Sequence, residues 1–329
     1  MVTTTADVND GIPVVRERSH SPFRMAMGRL FKKKIALVAM AILFVLYFTG
    51  IFAPLIANHD PNTINLRSTQ EGPSSEHFFG TDRAGRDLFS RAVYGIRTTV
   101  IITAVGLVTG SLFLGVTLGL LTGYFQGIFD AFVMRVGELV SAFPDILLII
   151  LLAATLRPRI VDLVRNIEDW TGIDGLVSSG AADFFVISVA LLPLSWFGMM
   201  RLVRGQVLTL RTMPYVEAAN AIGVSTPRLM FTHLLPNTLA PIIVSASSGL
   251  GAVAGSEVIL SFIGIGIQPP HPSIGRMIAD VTFQGGGLVS VLRDHPEQLL
   301  TPIVIVFAFI LCWNLLGDAL NDVFNPRTR

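Results

Sequence analysis

Six long apolar blocks limit what this chain can fold into more than any other feature. They run at roughly 35–57, 98–123, 128–156, 183–200, 236–265 and 300–317. A helix needs ~20 apolar residues to cross a hydrocarbon core, so each block reads as a membrane span. The third is interrupted near its start by Arg135, Glu138 and Pro144, and the fourth is short. With 51% hydrophobic and only 14% charged residues, the chain does not read as a soluble globular domain. The first block follows Lys32-Lys33-Lys34, yet its apolar run is too long for a signal peptide, so it reads as a retained span.

Charges between the blocks set an orientation. With the N-terminus inside, the inner pieces (1–34, 122–138, 201–235 and 318–329) hold 14 Lys and Arg. The outer pieces, 57–98, 157–183 and 265–299, hold 10. Basic residues favour the cytoplasmic side, so both termini are expected there. Residues 1–34 read as a polar cytoplasmic arm suited to anionic headgroups, and 318–329 as a cytoplasmic tail. No folded basic module accompanies the arm, so nucleic acid is not an expected partner.

Several chemistries are excluded. The only lysines are Lys32, Lys33 and Lys34, and none stands in a G-x-x-x-x-G-K-[ST] phosphate loop. If the chain's work consumes ATP, a partner must bind and hydrolyse it. Cys312 is the single cysteine, which rules out an intrachain disulfide. The six histidines are scattered, with no H-E-x-x-H and no close pair, so no metal site is expected. In the second span, Gly106/Gly110, Gly115/Gly119 and Gly119/Gly123 are each four apart, a pattern that lets another helix backbone approach closely.

The stretch Met213–Asn237, MPYVEAANAIGVSTPRLMFTHLLPN, is the most informative. Pro214 opens a short helix that Gly223 stops, and Thr226-Pro227 reads as a cap and first turn of a second helix running to Pro236. Ala218, Ala219 and Ala221 leave part of the first helix bare of bulk, a flat patch suited to docking in another protein's cleft. Glu217-Ala218-Ala219, then Gly223, then Leu235-Pro236 matches the spacing of the cytoplasmic loop of bacterial ABC importer permeases, with His233 where the general pattern has isoleucine. GTDRAGRDLFSRAVYGIR, LVRGQVLTLR, LSFIGIGIQPPHPSIGRMIAD and NLLGDALNDVFNPRTR extend the likeness over most of the chain. The chain thus resembles the second permease subunit of dipeptide, oligopeptide and nickel importers.

That resemblance implies an all-α, six-span type I permease bundle in the bacterial cytoplasmic membrane. It implies a complex with a second, homologous permease, two ATPase domains that bind ATP and Mg, and an extracytoplasmic substrate-binding protein. It also implies that Tyr215, Glu217, Ala218, Ala219, Gly223, His233, Leu235 and Pro236 form the loop that couples ATP-driven closure to the bundle. No cofactor and no catalytic residue is expected on this chain. Peptides are the expected cargo, with nickel complexes or another small solute as the alternative. An ion-coupled secondary transporter would need intramembrane carboxylates and no docking loop; the chain has the loop, and only Asp145 and Glu257 as candidate carboxylates.

Three further expectations concern the rest of the chain. Glu257 either lines a translocation path beside Ser245, Ser247, Ser248 and Ser256, or is hydrogen-bonded to a neighbouring helix as a structural group. Asp145, beside Pro144, is expected to satisfy backbone groups at a break. The outer insertion 157–182 carries a helical face of Ile160, Leu163, Val164, Ile167 and Trp170 with Gly172 as its stop, and either contacts the binding protein or is decoration. In the outer segment 58–97, Gly80-Thr81 reads as a cap, with Asp82 in a first helical turn. Arg83, Asp87 and Arg91 are expected as an exposed ion-pair stripe on an amphipathic helix lying on the membrane.

Overall fold

The computed structural model describes residues 27–172, 175–177, 179–283 and 288–324. Most of the arm expected over 1–34 lies outside the described residues. The described residues form helices and loops, with one isolated bridge between Thr81 and Asp87 and no strand. The long helices are α1 (Lys34–Ile51), α3 (Leu88–Phe125), α6 (Ala181–Leu210), α8 (Thr226–Ile263) and α11 (Pro296–Phe324). Between them lie α2 (Ala53–Ile56), α4 (Gly127–Ser141), α5 (Asp145–Thr171), α7 (Pro214–Ala221), α9 (Ile274–Phe283) and α10 (Leu288–Asp294). Five of these are long and apolar enough to cross a membrane, and a bent pair makes a sixth candidate.

The bent pair corrects the third expected span. Instead of one helix over 128–156, α4 and α5 meet at 94° across Ala142–Pro144. Pro144 has ψ near 125°, outside the helical range, and it disfavours helix at the residue before it. The fourth span corrects in the other direction: α6 continues past residue 200 to Leu210, through Arg201 and Arg204. Those arginines were expected to open a loop. Arg204 instead clamps Asp130 in the first turn of α4 through two 2.6 Å bonds, and Arg201 lies over the Phe197 ring. Such a bidentate guanidinium–carboxylate pair fixes orientation as well as distance.

At ~1.5 Å per residue, the 38-residue α3 is ~57 Å long, well beyond the ~30 Å of a hydrocarbon core. It packs along α6 with both chains running the same way. Gly110 faces Ser195, and a methyl added at Gly115, Gly119 or Gly123 would sit 2.7 Å from the Cβ of Met199, Val203 or Val207 respectively. The residues on α6 recur every four, so one ridge of α6 runs in the trough that the glycines leave. Gly106 stands apart from this stripe and meets Val253 of α8 at ordinary contact distance. Antiparallel to α8, α11 uses the same device: Gly251 faces Trp313 and Ile310, and Gly317 faces Ser248.

Of the insertion expected over 157–182, the residues through Thr171 continue α5 and form no separate element. Ile160 and Val164 are buried with Val186, Ile187 and Ala190 of α6, whereas Leu163, Ile167 and Trp170 of the expected face stay exposed. Gly172 ends the helix at φ +68°, in the left-handed conformation its lack of a Cβ permits. Arg157 anchors the helix, donating to Asp183 (2.8 Å) and to the Gly266 carbonyl (2.7 Å).

The close contact yields a test. Gly119→Leu is expected to destabilise the protein by about 1–3 kcal/mol or more, since backbone as well as side chain blocks the added atoms. Gly198→Ala, where nothing lies within 4 Å, should be neutral or slightly stabilising. Thermal unfolding in detergent separates the two, and equal midpoints would remove the glycine stripe as the packing determinant.

Candidate functional site

The segment 213–237 folds nearly as its sequence reads. Pro214 is the first helical residue of α7, and Gly223 turns the chain at φ +80°. The Gly223 and Val224 N–H groups close the helix end on the carbonyls of Asn220 and Ala219. The second helix starts one residue earlier than expected: Ser225 is its N-cap, without a side-chain capping bond, and Thr226 and Pro227 are its first two residues. It does not stop at Pro236 either. The chain passes through a wider π-helical turn at Met230–Leu234, which contains His233, directly into α8.

Packing divides α7 into two faces. Val216 and Ala219 are buried against Leu120 of α3 and Val203 and Val207 of α6, together with Leu229 and Leu234. Tyr215, Glu217, Ala218 and Ile222 point outward, with Ile222 82% exposed. Arg211 donates to the Tyr124 carbonyl (3.1 Å) and ties the approach to α7 to the end of α3. Of the remaining expected residues, Leu235 is half-buried, Pro236 is exposed, and the His233 carbonyl accepts from the Asn237 amide (2.6 Å). The result is a short helix resting on the ends of two long helices, with Tyr215, Glu217, Ala218, Asn220, Ala221 and Ile222 on its exposed side. This end also carries both ends of the described chain, because Lys33 pairs with Asp322 at 2.7 Å.

The three expected path residues fall on different faces of α8. Ser248 is exposed and Ser245 half-buried, on a stripe that continues to Ser256. Glu257 is fully buried on the other side. Its carboxyl accepts from Thr99 Oγ1 of α3 and from Ser261 Oγ, both at 2.9 Å. Of the two readings open in the sequence, the geometry favours the fastening one: Glu257 joins α8 to α3 and faces no open surface of this subunit. Asp145 is exposed in the first turn of α5, where a carboxylate suits the helix dipole.

At the far end from Lys33 and Asp322, the expected exposed stripe is replaced by a buried network. No helix forms at Asp82; α3 begins at Leu88, with Asp87 as its N-cap accepting from Ser90 N (2.7 Å). Gly85 at φ +71° breaks any earlier helix. Asp87 and Arg91 are only 3% and 2% exposed. Asp82 instead closes a turn, accepting from Ala84 N, Arg86 N and Arg86 Nε. Asp280 of α9 receives Arg86, Arg91 and Arg276 at 3.3, 3.4 and 3.0 Å. The network was missed because half of it comes from residues some 190 positions later. Nor is the helix a surface element, since it runs straight on as the second span.

Comparison with known proteins adds independent findings. Residues 115–329 match the family model for the binding-protein-dependent transport system inner membrane component. Residues 21–73 match the N-terminal TM domain of oligopeptide transport permease C. The chain is 34% identical to a dipeptide transport system permease protein of Alkalihalophilus pseudofirmus, over 99% of this chain and 96% of the relative. It is 32% identical to the oligopeptide transport system permease protein of Bacillus subtilis, over 96% and 93%. A glutathione transport system permease protein of Pectobacterium atrosepticum is 31% identical, over 97% and 96%.

Two substitutions probe the fastening groups. Asp280→Ala leaves Asp82 as the one carboxylate of this network against three guanidinium groups and is expected to cost about 3–5 kcal/mol, as for other broken buried ion pairs. Glu257→Ala should also lower the unfolding midpoint, whereas Ser256→Ala on the open stripe should not. A Glu257→Ala protein as stable as Ser256→Ala would remove the fastening role.

Proposed function

Because this chain belongs to the family of binding-protein-dependent transport system inner membrane components, we propose that it is a membrane-spanning permease subunit of an ATP-driven peptide importer. The family works with ATPases and a substrate-binding protein, and it is multi-pass in the bacterial membrane. On this reading ATP and Mg are bound and hydrolysed on the partner subunits, in keeping with the lack of a phosphate loop here. The cargo is a dipeptide or oligopeptide, supported by relatives named for dipeptide, oligopeptide and glutathione transport. A second, homologous permease completes the path, and both termini are cytoplasmic.

The observation that carries the reading is α7. Its inner face packs into the apolar cluster that also holds Leu120 of α3 and Val203 and Val207 of α6, so on this reading a push on its outer face is passed on to those helices. Its outer face, Tyr215, Glu217, Ala218 and Ile222, is the docking surface for an ATPase subunit. Transport then proceeds by alternating access: the binding protein delivers cargo outside, ATP closes the ATPase pair, and α7 carries that movement into the spans. Ser245 and Ser248, on the open stripe of α8, line the path. Glu257 keeps α3 and α8 moving together.

An arginine at position 218 would sit on the open face without disturbing the core. Ala218→Arg is therefore expected to abolish cargo-stimulated ATP hydrolysis and reduce uptake at least tenfold, while the permease pair still assembles with an unchanged unfolding midpoint. Full coupling in that variant, or purification under gentle extraction with no ATPase subunit attached, would overturn the proposal. Uptake of a labelled peptide series in a deletion strain identifies the cargo; no uptake of any peptide would redirect the reading to another solute.

A further inference from the structure

The fold brings two of the scattered histidines against one carboxylate. His59 lies in the loop after α2, His77 in the loop before α3, and Asp87 is the N-cap of α3. The two imidazole rings are 4.8 Å apart, and their Nδ1 atoms approach the same oxygen, Asp87 Oδ1, at 2.9 Å for His77 and 3.9 Å for His59. One donor atom from each of the three residues lies within 4.8 Å of the others. Metal–ligand bonds of ~2.0–2.1 Å in a tetrahedral site put neighbouring donors ~3.3 Å apart, so the three atoms straddle the spacing that one ion requires.

Two observations separate this cluster from an ordinary histidine–aspartate hydrogen bond. His59 Nδ1 is buried yet has no hydrogen-bond partner, although its ring edge reaches the surface. A buried polar atom of this kind calls for an explanation, and an ion shared with His77 and Asp87 supplies one. The surroundings also hold the donors in place. Asp87 Oδ2 is occupied by the Ser90 N–H, which leaves Oδ1 to face the imidazoles. Ser90 Oγ receives the His59 backbone N–H and donates to the Asn58 side chain, both at 3.1 Å. Such outer contacts orient ligands in metal sites.

We propose that His59, His77 and Asp87 bind one divalent first-row transition ion of the zinc class. Two imidazoles and a carboxylate suit zinc, nickel or cobalt and disfavour magnesium and calcium, which take oxygen ligands. Water completes the coordination on the exposed side of His59. The ion replaces the direct His77–Asp87 hydrogen bond and staples the loop after α2 to the start of α3, fixing the outer segment that precedes the second span. It takes no part in ATP hydrolysis, and the inference stands whatever the cargo.

The test uses the intact complex, purified in detergent through a histidine-free tag, stripped with EDTA and dialysed. After reloading with Zn2+ and gel filtration, zinc analysis is expected to give one equivalent more for the wild type than for His59→Gln or His77→Gln. Added Co2+ should produce the visible d–d absorption of a low-coordinate site in the wild type only, and Zn2+ should raise the unfolding midpoint of the wild type only. The His59 ring nitrogen that approaches Asp87 makes no hydrogen bond, so His59→Gln should assemble normally. If neither variant assembles, residue-resolved labelling of the wild type with diethylpyrocarbonate decides: Zn2+ must suppress modification of His59. Equal zinc content and equal Co2+ spectra in wild type and His59→Gln, or unchanged labelling of His59, would overturn the site.

Discussion

The approach of α3 to α6 is the constraint on which the rest of the structure depends. Between helices in lipid there is little water to expel, so association rests on close van der Waals packing and interhelical hydrogen bonds. Gly110, Gly115, Gly119 and Gly123 let the α6 ridge enter where no side chain would fit. The consequence extends past the membrane. Val203 and Val207, seated in this glycine trough, also belong to the cluster that holds Val216 and Ala219 of α7. The residues that join two spans therefore also form part of the apolar cluster on which α7 rests. A looser α3–α6 seam would leave α7 able to move without moving the bundle.

At its other end α3 is held by different chemistry. Asp87 caps it, Arg91 reaches Asp280 of α9, Thr98 donates to the Pro272 carbonyl, and Thr99 donates to Glu257 of α8. Polar fastening suits this end because the partners are loops and a short helix, which carry unpaired backbone groups that glycine packing cannot satisfy. Charges there are shared: Asp82 and Asp280 stand against Arg86, Arg91 and Arg276, so each guanidinium has a carboxylate within 4 Å. A helix of this length, fixed by apolar contact at one end and by a charge network at the other, is suited to pass displacement along its axis.

What the sequence disclosed, and what it hid, follows the distance between interacting residues. The glycine spacing was legible because one helix face repeats every three or four residues, although nothing local could show that Gly106 turns to α8 while the others turn to α6. The Pro214 start and Gly223 stop of α7 were legible because both are fixed by backbone conformation at the residue itself. Asp87 was misread for the opposite reason. Its spacing to Arg83 and Arg91 suits an ion-pair stripe, but Gly85 at positive φ forbids that helix, and Asp87 instead caps α3 by accepting from the N–H of Ser90, three residues on. Asp280 and Thr99 are the decisive partners of Arg91 and Glu257, and each reaches its site through tertiary folding alone. The break at Pro144 lies between these cases: the proline was visible, but neither the 94° between α4 and α5 nor the Arg204–Asp130 pair at the far end of α4 was.

The surfaces this subunit leaves open differ in kind. Along α4 and the start of α5, Ile128, Phe132, Leu139, Phe143 and Leu147 form a broad face of large apolar side chains. Lipid tails cover such a face without loss, and nothing in it requires a protein neighbour. The stripe of Ser245, Ser248 and Ser256 on α8 is small, and the Ser248 and Ser256 hydroxyls each bond back to a carbonyl of their own helix. Small hydroxyl residues gain little from acyl chains but allow a second helix or water to come close. If a second permease and the translocated solute are to share one side of the subunit, that stripe is the side the composition leaves for them. Glu257, one residue on from Ser256, is turned by 100° along the helix into the core, so the serine stripe itself carries no ionisable side chain.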